Sequence, residues 1–415
     1  MENATAKQKK NTLALQIFIA LLCAIIVGLL MQKIPDVPNN YVKPFGTIFL
    51  NLVKFMVCPL VLFSIMAGVV SMRDMKRLGV IGGTTLVYYF CTTAVAVIIG
   101  LVVSSLFKGF FPVLSTVNLS FTPPQAPSAI ETIVNMFPSN FIVPISSANM
   151  IQVIVMAILI SFAIILIGEK AETAIDTINQ WNIIFMKCME IILKLSPIGV
   201  FCLFMPVIAS NGAMVIGSLA KVILAAYICY ILHAAIVYSF TVSTLGGINP
   251  VRFFREMAPA ITFAFSSASS VGTIPLNMEC TKRLGVSEEV SSFVLPLGAT
   301  INMDGTAIYQ GVCAVFIAAC YGIDLTMSQM ISIVLTATLA SVGTAGVPGA
   351  GVVMLAMVLS SVGLPVDGIA LVVGVDRIFD MGRTTLNITG DASCTVIVSN
   401  LLKKREMKKA AKTQV

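Results

Sequence analysis

Polar and charged side chains concentrate in one short segment, VDRIFDMGRTTLNITGD at residues 375–391, of a chain that is only 11% charged. Their spacing of four, three, four and four residues places them on one face of an α-helix. That face consists of Asp376, Asp380, Arg383, Asn387 and Asp391. Structural ion pairs between helices would also explain it, but buried pairs seldom add net stability. Since carboxylates and a guanidinium pair well with charged ligands, the face favours a functional site.

A second polar group lies in GATINMDGT, residues 298–306. Asn302 and Asp304 offer side-chain oxygens, while Gly298 and Gly305 allow a helix to open and expose main-chain carbonyls. Oxygen ligands of both kinds suit a hard cation, and the motif lacks the His or Cys ligands that transition metals prefer. A kinked helix with a solvated aspartate is the alternative.

Two segments rich in Ser and Gly, SSASSVGTIP and SVGTAGVPGAG, offer hydroxyls and backbone NH groups. Helix N-termini at such turns attract carboxylates, although membrane helices also pack on small residues. In YYFCTT, Tyr89, Thr92 and Thr93 share one helical face, which alone indicates ordinary helix packing.

The composition of the whole chain is typical of an integral membrane protein. It is 57% hydrophobic with a mean hydropathy of +0.97, whereas soluble domains are about 45–50% apolar and about 25% charged. A charge at the bilayer centre costs about 2.5–3.5 kcal/mol, so the charged face must turn toward protein or water. The net charge of +7 comes largely from the two ends and indicates topology, not nucleic-acid binding. The single histidine, His233, is interpreted as a packed or helix-bridging residue.

Hydropathy predicts six conventional spans in the first part of the chain. Basic clusters precede the first span, follow the second and end the chain, so the positive-inside rule places both termini in the cytoplasm. The six spans cover residues 13–32, 45–71, 78–106, 142–168, 182–208 and 216–241.

From about residue 255 onward, Ser, Gly and Pro interrupt the apolar runs. Non-helical backbone at membrane depth persists only where it is buried in protein or lines a wet cavity. Two hairpin-plus-span units in succession are typical of an internal repeat around a binding site. We predict a hairpin at 255–288, a broken span at 289–322, a second hairpin at 327–360 and a polar-faced span at 365–402.

Taken together, NMDGT, the serine-rich segment, GTAGVPGAG and DMGRTTLNITGD resemble the motifs of the dicarboxylate/amino acid:cation symporters, which include the glutamate and aspartate transporters. The resemblance extends across the whole chain and is greatest to the sodium-coupled aspartate/glutamate transporters of prokaryotes. It implies an all-α polytopic membrane protein with eight transmembrane helices, two re-entrant helical hairpins and inverted repeats. It also implies a secondary active symporter of the cell inner membrane, not an enzyme, that imports aspartate or glutamate with sodium.

The same resemblance implies a homotrimer of elevator-type subunits. A scaffold would comprise residues 1–77 and 129–215, and a transport domain residues 78–128 and 216–402, with a basic cytoplasmic tail at 403–415. The transport domain would move across the bilayer, with the second hairpin as its gate. The expected ligands are an acidic amino acid and about three sodium ions, with no cofactor beyond these coupling ions.

Substrate roles are implied by matching motif positions. Arg383 would hold the substrate's side-chain carboxylate and Asp380 its ammonium group. The main-chain carboxylate would be bound by Asn387, Thr384 and Ser270. The remaining pocket residues would be Ser269, Thr306, Val347 and Gly351, with Arg377 and Asp376 in support.

The resemblance also implies three sodium sites. The first would use Asn387, Asp391 and the carbonyls of Gly298 and Asn302. The second would use carbonyls near Thr300 together with Ser341, Val342 and Thr344. The third would use Tyr89, Thr92, Thr93, Asn302 and Asp304.

Two departures from the family pattern affect these roles. A second arginine, expected just before the hairpin serines or directly after Asp380, is replaced by Ala268 and Met381, and we hypothesise that Arg377 takes its place. Proton- and potassium-coupled animal members have a glutamate where Gln310 stands, which argues against proton cotransport at that position.

Charge counting favours sodium as the coupling ion. Asp304, Asp376, Asp380 and Asp391 against Arg377 and Arg383 leave a net charge of −2. An acidic amino acid adds one negative charge, so three sodium ions would make the loaded site neutral, the form that crosses apolar surroundings at least cost.

Other functions remain open from the residues. A proton-coupled C4-dicarboxylate or glutamate symporter is the alternative within transporters, although Asp380 suits an ammonium that C4-dicarboxylates lack. A neutral amino acid would leave Arg383 unpaired. An intramembrane hydrolase is disfavoured because no GxSxG motif occurs and His233 is far in sequence from the serine-rich segments. An ion channel would need no arginine aimed at a carboxylate, and the sequence does not distinguish aspartate from glutamate.

Overall fold

The computed structural model describes residues 2–71, 80–113, 134, 137–147, 149–212, 214–341 and 350–413. Within these ranges the backbone consists of helices and short connections, and no β-strand is present. The predicted all-α fold class is confirmed.

The helices of the first half coincide largely with the predicted spans. They are α1 (Glu2–Leu30), α2 (Lys43–Ser71), α3 (Val80–Phe107), α4 (Ile142–Ser146), α5 (Met150–Ile167), α6 (Glu172–Leu193) and α7 (Ser196–Asn211).

Two predicted spans of this half are interrupted. The span predicted at 182–208 is wrong, because α6 ends before Lys194 and a separate helix, α7, follows. Pro197, in the first turn of α7, has no backbone NH to donate and therefore begins a helix instead of continuing one. The span predicted at 142–168 is divided into α4 and α5, and the side chain of Asn149 caps the second piece.

In the second half, the segments predicted as a hairpin or a broken span each contain two helices. A π-helical turn, Ala234–Tyr238, joins α8 to α9. The helices are α8 (Met214–His233), α9 (Ser239–Thr244), α10 (Pro250–Ser267), α11 (Ser270–Arg283), α12 (Glu288–Ile301), α13 (Asp304–Cys320), α14 (Met327–Ala340), α15 (Ala350–Ser361) and α16 (Asp376–Thr413).

The last predicted span begins later and extends further than its predicted bounds of 365–402. Two 3₁₀ turns, Val366–Leu371 and Val373–Val375, precede the regular helix, which starts at Asp376. The helix then continues to Thr413, so most of the predicted basic tail is helical.

The helices pack in two groups. In the first, α1 contacts α7, and α2 contacts α5, α6 and α7. In the second, α13 contacts α3, α8 and α16, and α16 also packs against α10, α11 and α12. The pair α14 and α15 contacts both groups, through α3 and α13 on one side and α2 and α5 on the other.

Several helices have the length and apolar composition needed to cross a bilayer. The stretch Val290–Cys320 is buried within the protein over its whole apolar window, so its surroundings are other helices. Within the described residues, the long apolar stretches are Leu15–Lys33, Ile81–Phe110, Gln152–Ile192, Gly217–Thr244 and Val290–Cys320.

Helices α1 and α7 pack closely because residue 28 is a glycine, which has no side chain. A Cβ added at Gly28 would lie 2.7 Å from Ile208 Cβ and 2.8 Å from the carbonyl oxygen of Met205, whereas a Cβ at Gly217 would meet nothing within 4 Å.

We therefore expect Gly28→Val to lower the melting temperature of the purified protein in detergent, since overpacking costs about 1–3 kcal/mol. Gly217→Val is the matched control, because it makes the same substitution in a helix without the close contact. Equal melting temperatures for the two variants would contradict the close packing of α1 on α7.

Candidate functional site

Arg383 lies on α16 and faces two carboxylates of the same helix. Its Nη1 is 3.0 Å from Asp376 Oδ1, and its Nη2 is 3.0 Å from Asp380 Oδ1. Only 2% of Arg383 is exposed. The shared helical face is confirmed for these three residues, and one guanidinium bridges the two carboxylates.

Helices α13 and α15 pack closely on Arg383. Its Cζ lies 4.4 Å from the centroid of the Tyr309 ring, a cation–π contact from α13. A Cβ added at Gly351 of α15 would overlap the guanidinium, and one added at Gly305 of α13 would overlap the Arg383 backbone. The absence of side chains at these two positions therefore allows three helices to meet at one arginine.

Arg377 links α16 to the end of α10. Its Nη2 donates to the carbonyl oxygen of Ser267 at 3.2 Å, and its Nη1 is 3.6 Å from Asp380 Oδ2. Ser267 directly precedes Ala268, one of the two positions at which the family pattern has a second arginine. The guanidinium of Arg377 thus reaches the backbone beside that position from a different helix.

The turn between α10 and α11 has an unusual backbone. Ala268 adopts a left-handed conformation with φ of 46°, which is rare for a residue with a side chain. The hydroxyl of Ser269 accepts a hydrogen bond from the Gly272 NH at 3.1 Å and caps α11, while Ser270 is buried. The two predicted substrate ligands therefore lie at a helix N-terminus, and one of them already serves as its cap.

The break between α12 and α13 brings Asn302 to α16. Asn302 Nδ2 donates to the carbonyl oxygen of Asn387 at 2.8 Å and to Asp391 Oδ1 at 2.9 Å. The Oδ1 of Asn387 in turn accepts from the Gly305 NH at 2.7 Å. Asn302 Oδ1 is buried without a hydrogen-bond partner among the described residues. Because Gly298 has no Cβ, the carboxylate of Asp391 can lie against the α12 backbone.

Asp304, the first residue of α13, is fully buried and accepts hydrogen bonds from three other helical segments. Thr92 and Thr93 of α3 donate to its Oδ1 at 3.3 and 2.6 Å. Its Oδ2 lies 3.2 Å from His233 Nε2 and accepts from the Tyr238 hydroxyl at 2.8 Å. The predicted association of YYFCTT with Asp304 is thus observed for the two threonines.

The remaining predicted residues are placed as follows. The Tyr89 hydroxyl donates to the Val294 carbonyl oxygen at 3.4 Å and lies near Gly298, while the Tyr89 carbonyl accepts from Thr92 at 3.2 Å. Thr306 and Thr384 are buried. The hydroxyls of Thr300 and Ser341 donate within their own helical turns, to Leu297 at 2.8 Å and to Thr338 at 2.7 Å. Val342, Thr344 and Val347 lie outside the described residues.

One known protein family matches nearly the whole chain. The sequence model of the sodium:dicarboxylate symporter family matches residues 13–401. The chain belongs to that family.

Proteins similar to this chain are named for the transport of glutamate, aspartate or C4-dicarboxylates. A proton/sodium-glutamate symport protein of Geobacillus stearothermophilus is 34% identical, and the match covers 94% of both chains. A proton/glutamate-aspartate symporter of Escherichia coli is 31% identical over 97% of this chain and 96% of the relative. A C4-dicarboxylate transport protein of Bacillus subtilis is 33% identical over 94% and 93% of the two chains. Because the members of this family are transporters, the alternative of an intramembrane hydrolase is excluded.

Sequence reasoning missed two residues beside the symporter's Asp304, namely His233 and Tyr238. The only signal was that His233 is the single histidine of the chain, and its interpretation as a helix-bridging residue agrees with the contact to Asp304. Tyr238 gave no signal, because the π-helical turn that directs it toward His233 cannot be inferred from apolar periodicity.

We expect Arg377→Ala in this symporter to weaken substrate binding about three- to tenfold, since it removes a partly exposed charged hydrogen bond beside the site. The measurement is the substrate concentration for half-maximal uptake into proteoliposomes. Arg283→Ala is the control, because Arg283 is exposed and pairs with Glu279 on the surface of α11. Unchanged affinity and rate for Arg377→Ala would exclude a role for this arginine.

Proposed function

We propose that the protein imports an acidic amino acid, aspartate or glutamate, together with sodium ions. The observation that carries this proposal is the buried guanidinium of Arg383 held between Asp376 and Asp380. A buried arginine with a planar, bidentate fork suits a carboxylate ligand. Asp380 beside it suits an ammonium group, and the two groups together match an acidic amino acid.

Binding would proceed by exchange of ion-pair partners. The side-chain carboxylate of the substrate would take a share of the Arg383 guanidinium, and Asp380, released from part of that pairing, would hold the ammonium. The main-chain carboxylate would go to Asn387, Thr384 and the N-terminus of α11 at Ser270, where backbone NH groups favour an anion. Each buried charge would keep a partner throughout, which avoids the penalty for an isolated charge.

The choice of an amino acid over a C4-dicarboxylate rests on Asp380. A dicarboxylate such as succinate has no ammonium, so its second carboxylate would lie near Asp380 and Asp376 and be repelled. The relatives named as glutamate or glutamate-aspartate symporters agree with this choice, whereas the relative named as a C4-dicarboxylate transport protein represents the alternative.

Sodium coupling is supported by the donor types around the α12–α13 break. Hard oxygen ligands in the buried interior come from Asp304, Asp391, two threonine hydroxyls and the Oδ1 of Asn302, which has no hydrogen-bond partner among the described residues. No cluster of His, Cys, Asp and Glu suited to a transition metal occurs within the described part of the chain. Together with Ser341 and the segment after it, these groups could hold three ions, as the charge count requires.

We further propose the membrane arrangement of the family for this chain. It has eight transmembrane helices and two re-entrant hairpins, α10–α11 and α14–α15, in inverted repeats. Subunits form a homotrimer in the inner membrane with both termini in the cytoplasm. The two packing groups support a scaffold at 1–77 and 129–215 and a moving transport domain at 78–128 and 216–402, since the helices of each group pack mainly on one another. Contacts between the groups come from α14, α15, α8 and the 3₁₀ turns before α16.

We expect radiolabelled aspartate or glutamate to accumulate in proteoliposomes only with an inward sodium gradient. Excess unlabelled succinate should compete weakly, because it offers no ammonium to Asp380. The sodium, proton and potassium gradients are imposed one at a time. Uptake driven by a proton gradient without sodium would instead establish the proton-coupled alternative.

A second measurement is the ratio of sodium to substrate, obtained from the membrane potential at which net flux reverses. We expect three sodium ions per acidic amino acid, because that number neutralises the charged groups of the loaded site. A ratio below two would remove the basis of the charge argument.

A further inference from the structure

The carboxylate of Asp304 is divided between two sets of donors. Its Oδ1 faces the hydroxyls of Thr92 and Thr93, two residues in the proposed third sodium site. Its Oδ2 faces His233 Nε2 and the Tyr238 hydroxyl, neither of which belongs to any proposed sodium site. All five side chains are buried.

We propose that His233 and Tyr238 are positioning residues for the coupling cation: they hold Oδ2 of Asp304 so that Oδ1 stays directed at the threonine pair. This inference rests on the proposed sodium coupling and assigns a role to residues outside the cation's own ligands. Groups that hydrogen-bond a metal ligand fix its orientation, and their loss typically weakens metal binding about 10- to 100-fold.

The π-helical turn places the two donors together. An α-helix advances about 100° per residue, so side chains five residues apart would point about 140° apart. The wider turn at Ala234–Tyr238 reduces this angle, and His233 and Tyr238 both reach Oδ2. Their rings are perpendicular with centroids 4.8 Å apart, so each ring restrains the other.

His233 and Tyr238 each direct one polar atom at the carboxylate of Asp304. A carboxylate oxygen accepts hydrogen bonds, so a hydrogen bond at this contact requires the His233 tautomer that carries its proton on Nε2. The Nδ1 of His233 is buried without a partner among the residues the structure describes, which leaves the contact to Asp304 as the polar role of this side chain. The Tyr238 hydroxyl is also 3.3 Å from the Leu386 carbonyl oxygen, but its contact to Asp304 is shorter at 2.8 Å.

Helix α16 leaves room for this arrangement. A Cβ added at Gly390 would overlap both the Tyr238 hydroxyl and Nδ2 of Asn302, the residue that bridges to Asp391. The donor pair on Asp304 and the Asn302 bridge therefore lie beside the same glycine. A shift of Tyr238 would reach both Asp304 and Asn302.

The experiment compares Tyr238→Phe and His233→Gln with the unchanged protein. Sodium chloride is titrated at constant ionic strength with choline chloride, and two quantities are followed: the melting temperature in detergent and the uptake of aspartate or glutamate. We expect the sodium concentration for half-maximal effect to rise about tenfold in Tyr238→Phe. The half-saturating substrate concentration at saturating sodium should stay within about twofold. His233→Gln, which retains an NH donor, should show a smaller rise.

Tyr88→Phe is the matched control. It also removes a buried tyrosine hydroxyl between α3, α9 and α16, but the partners of that hydroxyl are Ser393 at 2.7 Å and Thr241 at 3.1 Å. Its sodium dependence should equal that of the unchanged protein. The inference is overturned if Tyr238→Phe lowers the melting temperature without sodium but leaves the sodium midpoint unchanged, since that is a purely structural effect. If the unchanged protein and Tyr88→Phe show no sodium dependence at all, the proposed sodium coupling fails with it.

Discussion

The structure of the second helical group depends on one constraint: every charged side chain buried in an apolar interior needs an ion-pair or hydrogen-bond partner. Arg383 satisfies it with Asp376 and Asp380 on its own helix, and Asp391 satisfies it in part with Asn302 from the α12–α13 break. Asp304 satisfies it with hydroxyl and imidazole donors from α3 and the α8–α9 segment. The contacts of Asp391 and Asp304 need a close approach between helices, which the glycines at 298 and 390 permit, and the glycines at 305 and 351 let α13 and α15 pack against Arg383. The interrupted helices are thus a consequence of where the charges must find partners.

The proposed substrate and cation sites share atoms of the protein, which gives their coupling a physical basis. Asn387 accepts from the Gly305 NH through its side chain and from Asn302 through its carbonyl oxygen, one helical turn after Arg383. A cation that draws Asn302 or Asp391 toward itself therefore acts on the backbone turn that carries Asn387 and Arg383. Binding of each proposed ligand would thus change the geometry offered to the other, which is the requirement for thermodynamic coupling between two sites.

Much of this site could be predicted from local spacing, because helical periodicity decides which residues share a face. The polar face of α16 and the break at NMDGT follow from the sequence in this way. The tertiary partners could not be predicted so directly. Arg383 pairs with Asp376, seven residues away in the sequence, although other residues share the same helical face. Which of these residues the guanidinium contacts depends on how α13 and α15 enclose it. Tyr238 was missed because a π turn changes the angular relation of residues without changing their hydropathy, whereas His233 was predicted to bridge helices but without a named partner. The boundary error at 182–208 has the same origin, since a helix that ends and restarts within an apolar run leaves hydropathy high on both sides.

Helix α16 runs without interruption from Asp376 to Thr413, which at the rise of an α-helix is about 57 Å. Its polar face near the start and its basic residues Lys403, Lys404 and Arg405 near the end are therefore parts of one stiff rod. A rigid helix moves as one body, so a shift of Arg383 along the helix axis moves the basic end by an equal distance. In the proposed motion of the transport domain, the basic end would limit the travel of the helix, because strongly hydrated ammonium and guanidinium groups resist being drawn into hydrocarbon.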